Sequence, residues 1–225
     1  MRTSEEYKAL TIKEFDKAAE KYEGNEAGVY KLCKDDYPHI LEEIEKIEFE
    51  TLLDAGCGTA PMISLLKKKY PEKKFTGIDL SPKMIEQAIK KNLENTEFII
   101  GDCENLPFEG NTFDIIINSQ SFHHYPNPQE FFNSVYRVLK PNGKLILRDN
   151  TGNRAVKWFV NKIETPILNN IGRGDVRIYS LNEIGEFCKK ANLEIEKLEQ
   201  QKGFRLHLVA IKKLNNYSLN FSLLL

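Results

Sequence analysis

Short apolar runs recur near 51–54, 74–78, 97–100, 113–118 and 143–148, and helical patterns fall between them near 61–69, 82–93 and 128–139. Strands that read as nearly continuous apolar runs are those buried on both faces, as in parallel sheets. Ser81 supplies an N-cap before Pro82, a residue suited to the first turn of a helix. This alternation predicts an α/β fold, a mostly parallel sheet covered by helices on both sides. A further helix near 181–191 and two strands, 193–198 and 204–211, predict a closing hairpin. Ligands of such sheets bind outside the carboxyl ends of the strands, where the strand order switches.

Polar residues gather at those predicted ends. Leu52-Leu53-Asp54-Ala55-Gly56-Cys57-Gly58-Thr59-Ala60 runs from a buried strand into a turn with two glycines. Residues without Cβ take up positive φ freely and leave room for a ligand against the main chain. The next apolar run, Phe75-Thr76-Gly77-Ile78, ends in Asp79, placed to accept hydrogen bonds from both hydroxyls of a ribose. A dinucleotide-binding turn needs a third glycine for close helix–strand packing, and that position holds Pro61. An NAD(P)-dependent oxidoreductase is therefore the weaker reading of the turn.

The same run resembles the glycine-rich motif of the class I S-adenosylmethionine-dependent methyltransferases. Gly77-Ile78-Asp79-Leu80-Ser81-Pro82-Lys83-Met84 is similar to the second motif of that family, and Ile100-Gly101-Asp102-Cys103-Glu104-Asn105-Leu106-Pro107-Phe108 to the third. Phe113-Asp114-Ile115-Ile116-Ile117-Asn118-Ser119 resembles its fourth strand, and Leu139-Lys140-Pro141-Asn142-Gly143 the turn before its fifth. The ordered motifs look most like the small-molecule enzymes of the ubiquinone/menaquinone-biosynthesis type. The resemblance implies a Rossmann-like three-layer sandwich whose seven-stranded sheet ends in an antiparallel strand. It also implies S-adenosylmethionine as donor and a small-molecule methyl acceptor.

Residue by residue, the resemblance gives Asp79 the ribose, Leu80 the adenine face, Asp102 the adenine amino group and Cys103 a backbone N–H to the ring. Gly56 and Gly58 border the methionine moiety, with Asp54 near its ammonium. Asn118 and Ser119 lie under the sulfonium, and Met84 and Tyr22 complete the cofactor site. Ala60 departs from the family, which often has a third glycine there. Residues 11–22 carry Phe15, Ala18, Ala19 and Tyr22 on one helical face, matching the family helix that lies over the cofactor. Pro38 is read as opening a second helix, with Ile40, Leu41, Ile44 and Ile47 toward the sheet.

His123-His124 follows the fourth strand, where an acceptor would lie, and histidine titrates near neutrality, so either is a candidate base. No metal site is expected, because no other histidine or carboxylate cluster accompanies the pair in sequence. The long stretch 150–178, with Arg154, Lys157, Trp158, Phe159, Arg173 and Arg177, is read as an irregular substrate lid.

Composition bounds the rest. The 225 residues suit one domain, with 1–48 covering the cofactor, and 41% hydrophobic with 29% charged residues is ordinary for a globular chain. A net charge of −1 gives no field to draw in nucleic acid. The Asn/Asp-Pro-Pro-aromatic run of base-modifying methyltransferases is replaced by Asn118-Ser119-Gln120-Ser121. The four cysteines form no C-x-x-C pair, the N-terminus is polar and no membrane span is evident, so a cytoplasmic protein is expected. The oligomeric state is not legible, and neither is the role of the apolar tail over 217–225. A non-catalytic, cofactor-binding regulatory protein would carry the same binding motifs.

Overall fold

The computed structural model describes residues 2–24 and 29–214; the apolar tail over 217–225 lies outside them. Seven strands form one sheet in the order β3-β2-β1-β4-β5-β7-β6. They are β1 (Thr51–Ala55), β2 (Lys74–Asp79), β3 (Thr96–Ile100), β4 (Phe113–Ser119), β5 (Leu139–Asn150), β6 (Glu194–Gln201) and β7 (Arg205–Ile211). β1 to β5 pair in parallel, whereas β7 inserts antiparallel between β5 and β6. This is the mixed sheet that the resemblance implied.

The strands bury both faces because neighbouring side chains point to opposite sides. Leu52, Ile115, Ile117 and Ile146 pack with α2 (Val29–Ile44) and α3 (Pro61–Lys69). Leu53, Ile116, Leu145 and Leu147 pack on the other face with α5 (Pro128–Val138) and α8 (Leu181–Lys190). The helix α4 (Pro82–Ile89) follows β2, and Ser81 Oγ accepts from Met84 N at 3.2 Å as its N-cap.

Three expectations are corrected. The first helix, α1, runs Ser4–Ala18, earlier than the apolar face suggested, and only a 3₁₀ turn, Ala19–Lys21, leads on to Tyr22. A Thr3–Glu6 capping box starts it, with Thr3 Oγ1 accepting from Glu6 N at 3.2 Å and Glu6 Oε2 from Thr3 N at 2.7 Å. Pro38 does not open α2 but sits inside it, exposed to solvent, while Tyr37, Ile40 and Ile44 face the core. Burial of that face outweighs the backbone hydrogen bond that proline removes.

The third correction concerns 150–178, which is largely helical. It holds α6 (Arg154–Phe159), a wide π-helical turn (Val160–Glu164) and α7 (Thr165–Asn170). Pro166 has no N–H, and the widened turn lets Thr165 N donate to Val160 O.

A polar network crosses the face of the sheet beneath α2. Arg148 on β5 and Asp36 on α2 are 2% and 1% exposed, and Arg148 Nε donates to Asp36 Oδ1 at 3.0 Å. Gln120 Nε2 donates to Asp36 Oδ2 at 2.8 Å. Arg148 Nη1 reaches Gln201 Oε1 at 2.8 Å and His207 Nδ1 at 2.9 Å, and His207 Nε2 lies 3.3 Å from Glu43 Oε1. An arginine can only donate, so His207 accepts at Nδ1 and is neutral with its proton on Nε2. Burial, the first cause, holds its pKa below the ordinary value.

Removing one partner of a buried ion pair strands the other charge. Asp36→Ala is therefore expected to lower the unfolding free energy by about 3–5 kcal/mol in urea titrations. A loss below about 1 kcal/mol, the size of an exposed ion pair, would show that the network does not hold α2 to the sheet.

Candidate functional site

The carboxyl ends of β1, β2 and β4 meet in one cleft, roofed by α1 and closed at one side by the turn after β4. Asp54, Gly56 and Gly58 from the first turn, and Asp79, Leu80 and Met84 from the second, line it. So do Asp102 and Cys103 after β3, Ser119 at the end of β4, and Tyr22 from the chain after α1.

Gly56 has φ +82°, and a Cβ there would sit 2.0 Å from Ser121 Oγ. The tight contact that demands glycine is thus with the turn after β4. Gly58 has φ +54°, and Ala60, where the family often has glycine, also sits in the left-handed region at 59°. Four N–H groups of this turn are spent internally. Gly56 N and Cys57 N donate to Ile78 O at 2.8 and 3.0 Å, and Ala60 N to Cys57 O at 2.8 Å. Gly58 N donates to Asp79 Oδ2 at 2.8 Å. A pyrophosphate cradle needs such groups free, so the geometry disfavours a dinucleotide.

Asp79 is half-buried, and its other oxygen, Oδ1, accepts from Ser81 N at 2.9 Å. Burial pushes its pKa up, against the pull of the Ser81, Gly58 and Leu80 N–H groups. Asp54 is 4% exposed and, among the described residues, accepts from no donor. Its pKa is pushed up to about 7, by burial first and then by the charge of Asp79. A buried carboxyl group lining a cleft without a partner fits a cationic ligand group. Ser119 Oγ is likewise buried without a partner.

Asp102 is already engaged. Lys8 Nζ on α1 lies 2.7 Å from both Asp102 Oδ2 and Glu104 Oε2, and Glu104 N donates to Asp102 Oδ1 at 2.9 Å. Asn118 and His123 do not line the cleft. Asn118 is fully buried as a brace, its Nδ2 donating to Ala55 O at 2.7 Å and Tyr125 OH at 3.0 Å.

His123 Nδ1 lies 2.7 Å from Asp149 Oδ1, and Nε2 lies 3.4 Å from Asp175 Oδ1. Desolvation lowers its pKa, but the two carboxylates overcome this and carry it to about 10. A histidine held protonated at neutral pH is unfit to accept a proton. His124 lines the cleft, is 7% exposed, and meets the Phe15 ring edge-on at 5.1 Å. Burial and the charge of His123 hold its pKa down, and its Nδ1 accepts from no donor.

Sequence reasoning missed Lys8, Thr11, Cys33, Tyr37, Glu104, Ser121 and Tyr125 among the lining residues. Glu104 stood inside a recognised motif, and Tyr125 next to the histidine pair. Lys8 left no local signal, because its partner Asp102 is 94 residues away.

The methyltransferase domain model matches residues 53–147. Demethylmenaquinone methyltransferase of Thermotoga maritima is 33% identical over 172 residues, which cover 73% of this chain and 75% of that protein. Phthiotriol/phenolphthiotriol dimycocerosates methyltransferase of Mycobacterium leprae is 37% identical over 49% of this chain, which spans only 42% of that longer protein. A S-adenosylmethionine-dependent methyltransferase from Aquifex aeolicus superposes with a TM-score of 0.61 at 23% identity, over 78% of this chain and 89% of that one. No helix among the described residues is long and apolar enough to cross a membrane. The matched motifs, the mixed seven-stranded sheet and a relative aligned over three quarters of its length agree: the chain belongs to the class I S-adenosylmethionine-dependent methyltransferases and is similar to those of the ubiquinone/menaquinone-biosynthesis type.

Proposed function

We propose that the chain binds S-adenosylmethionine in the cleft between α1 and the strand ends, and methylates a small-molecule acceptor there. The observation that supports the site assignment is Asp54, a buried carboxyl group with no donor among the described residues, in the same cleft as the half-buried Asp79. When bound, the cofactor would supply a methyl group activated on a sulfonium, which passes in line to the acceptor atom as its C–S bond breaks and the neutral thioether leaves as S-adenosylhomocysteine.

The residues hold, orient and shield. Asp54 takes the ammonium of the amino-acid end, and Asp79, fixed by the N–H groups of Gly58 and Ser81, takes the ribose hydroxyls. Tyr22, Leu80 and Met84 form the walls around the adenine, with Asp102 and Cys103 at its edge. The amino group of the adenine shares Asp102 with Lys8. Ser119 offers its unpaired hydroxyl on the floor. Gly56 and Gly58 shape the methionine end, while Asn118 acts through Ala55 and Tyr125.

Alignment of the reacting atoms and exclusion of water are large terms in such a displacement. His123, held protonated between Asp149 and Asp175, is given no role as base; His124, which lines the cleft with Nδ1 unpaired among the described residues, is the member of the pair able to accept a proton. An acceptor enters between Phe15, Ser121, Tyr125 and His124. The relatives named for demethylmenaquinone and for phthiotriol dimycocerosates support an organic small molecule as acceptor. The near-neutral charge of −1 supports no nucleic-acid substrate. The cysteine pattern supports a reducing, cytoplasmic setting.

Calorimetric titration should give micromolar binding of S-adenosylhomocysteine and none of NADH; the reverse order would overturn the assignment. Asp79→Ala is expected to weaken S-adenosylhomocysteine by about 1.5–3 kcal/mol, the size of a lost charge-assisted hydrogen bond. Unchanged affinity in a variant that melts like the parent would remove Asp79 from the ribose.

Asp54 gives a pH test. Its folded pKa, about 7, lies above the ordinary 3.8, so between those values the folded ligand-free chain holds a proton that the unfolded chain has lost. Stability from this group is therefore present below about 3.8 and falls as pH rises toward about 7. Asp54→Asn should flatten that part of the melting profile and raise the melting temperature at pH 8 without ligand. It should also abolish the rise in S-adenosylhomocysteine affinity that the parent shows as pH climbs through 7. A variant with the parent's pH dependence in both measurements would refute the ammonium contact.

A further inference from the structure

Behind the cleft wall, the fold assembles a side-chain cluster that the sequence keeps apart. His123 and His124 follow β4, while Asp175 arrives from the chain after α7. One ligand atom from each of the three lies within 4.8 Å of the others. Asp175 Oδ1 is 3.4 Å from His123 Nε2 and 3.9 Å from His124 Nδ1.

A tetrahedral cation bonded at about 2.0–2.2 Å to nitrogen and carboxylate oxygen separates its ligand atoms by about 3.3 Å. The cluster needs less than about 2 Å of contraction along its widest side to reach that spacing. His124 is 93% buried, being 7% exposed, and its Nδ1 is a buried ring nitrogen with no hydrogen-bond partner among the described residues.

The outer contacts match those of a metal-ligating histidine. Such a histidine holds its far ring nitrogen on a carboxylate, which fixes the tautomer and raises ligand basicity. Here His123 Nδ1 is 2.7 Å from Asp149 Oδ1, and Asp149 is 1% exposed. Asp149 is itself fixed by the N–H groups of His123 at 3.1 Å and Asn150 at 2.5 Å. The segment carrying Asp175 is pinned nearby, since Val176 N donates to His123 O at 2.9 Å and Gly174 N to Glu14 Oε2 at 2.8 Å.

We propose that His123 Nε2, His124 Nδ1 and Asp175 Oδ1 form a binding site for a zinc-class divalent cation, with Asp149 orienting His123. Two imidazoles and one carboxylate suit zinc, cobalt or nickel better than magnesium, which prefers oxygen ligands. Three protein ligands leave a fourth position for water or an acceptor atom. The cation ties the turn after β4 to the segment around Asp175, two walls of the same region. Binding the cation releases the Nε2 proton that Asp175 holds on His123, so the site fills more tightly as pH rises, and it occupies the Nδ1 lone pair of His124.

The test is titration of the full chain, freed of metal by chelation, with CoCl2 followed by visible absorption and with ZnCl2 followed by calorimetry. One equivalent should bind, with an intense visible cobalt spectrum and no thiolate-to-cobalt charge-transfer band. Asp175→Asn and His124→Gln should each weaken binding at least 100-fold, and Asp149→Asn about 10–100-fold. S-adenosylhomocysteine affinity, measured on every variant, reports folding of the cofactor site and separates this result from the cofactor assignment. Absence of a tight equivalent in the parent would overturn the proposal. So would a charge-transfer band, which would place the metal on cysteine. An equivalent that survives in both Asp175→Asn and His124→Gln would overturn it too.

Discussion

The placement of β1 between β2 and β4 governs the geometry of this protein. The chain passes from β1 to β2 on one side and later returns to lay β4 on the other. The turns leaving the strands therefore diverge, and a crevice opens above β1. Parallel register sets what lines it. Asp54 pairs with Gly77 and with Ile117, so Asp79 and Ser119 emerge two residues further along the neighbouring strands. No loop needs to search for this arrangement, because hydrogen-bonded strands with apolar faces fix it.

Around the crevice the protein spends polar groups in two ways. Gly58 N, Ser81 N and Asp79 form a closed set that stiffens the turn after β1 against the turn after β2. Gln120, left-handed at φ 53°, does the same for the turn after β4 by anchoring to Asp36. That anchor joins the crevice to the Arg148–Asp36–His207 network below α2. The floor of the cleft is thus braced by charges with full sets of partners, while Asp54 and Ser119 keep polar atoms without partners. Rigid support beneath unsatisfied groups is how a site stays preorganised.

What the sequence reveals follows from the range of each interaction. The strands, the N-cap at Ser81 and the placement of Asp79 rest on neighbours within a few residues, and each is legible. The helical nature of 154–170 was not, because its pieces are short, apolar residues remain exposed along it, and a π-helical turn breaks the period at Pro166. Pro38 misled for a related reason: a local rule about proline lost to burial of Tyr37, Ile40 and Ile44. Lys8 with Asp102, Arg148 with Asp36, and His123 with Asp149 and Asp175 pair charges on distant parts of the chain. Only the folded topology brings them together, so composition and periodicity carry no trace of them.

The attachment of α1 differs in kind from that of the sheet. No side chain of α1 is fully buried. The helix is held by Lys8 on Asp102 and Glu104, by Glu14 on Arg173 and Gly174 N, and by Asp16 on Ser81 and Lys83 N. Such contacts weaken as salt screens them, whereas burial of the sheet's apolar faces does not. Added salt is therefore expected to loosen the roof of the cleft before it reaches the body of the protein, making ionic strength a throttle on whatever passes beneath α1.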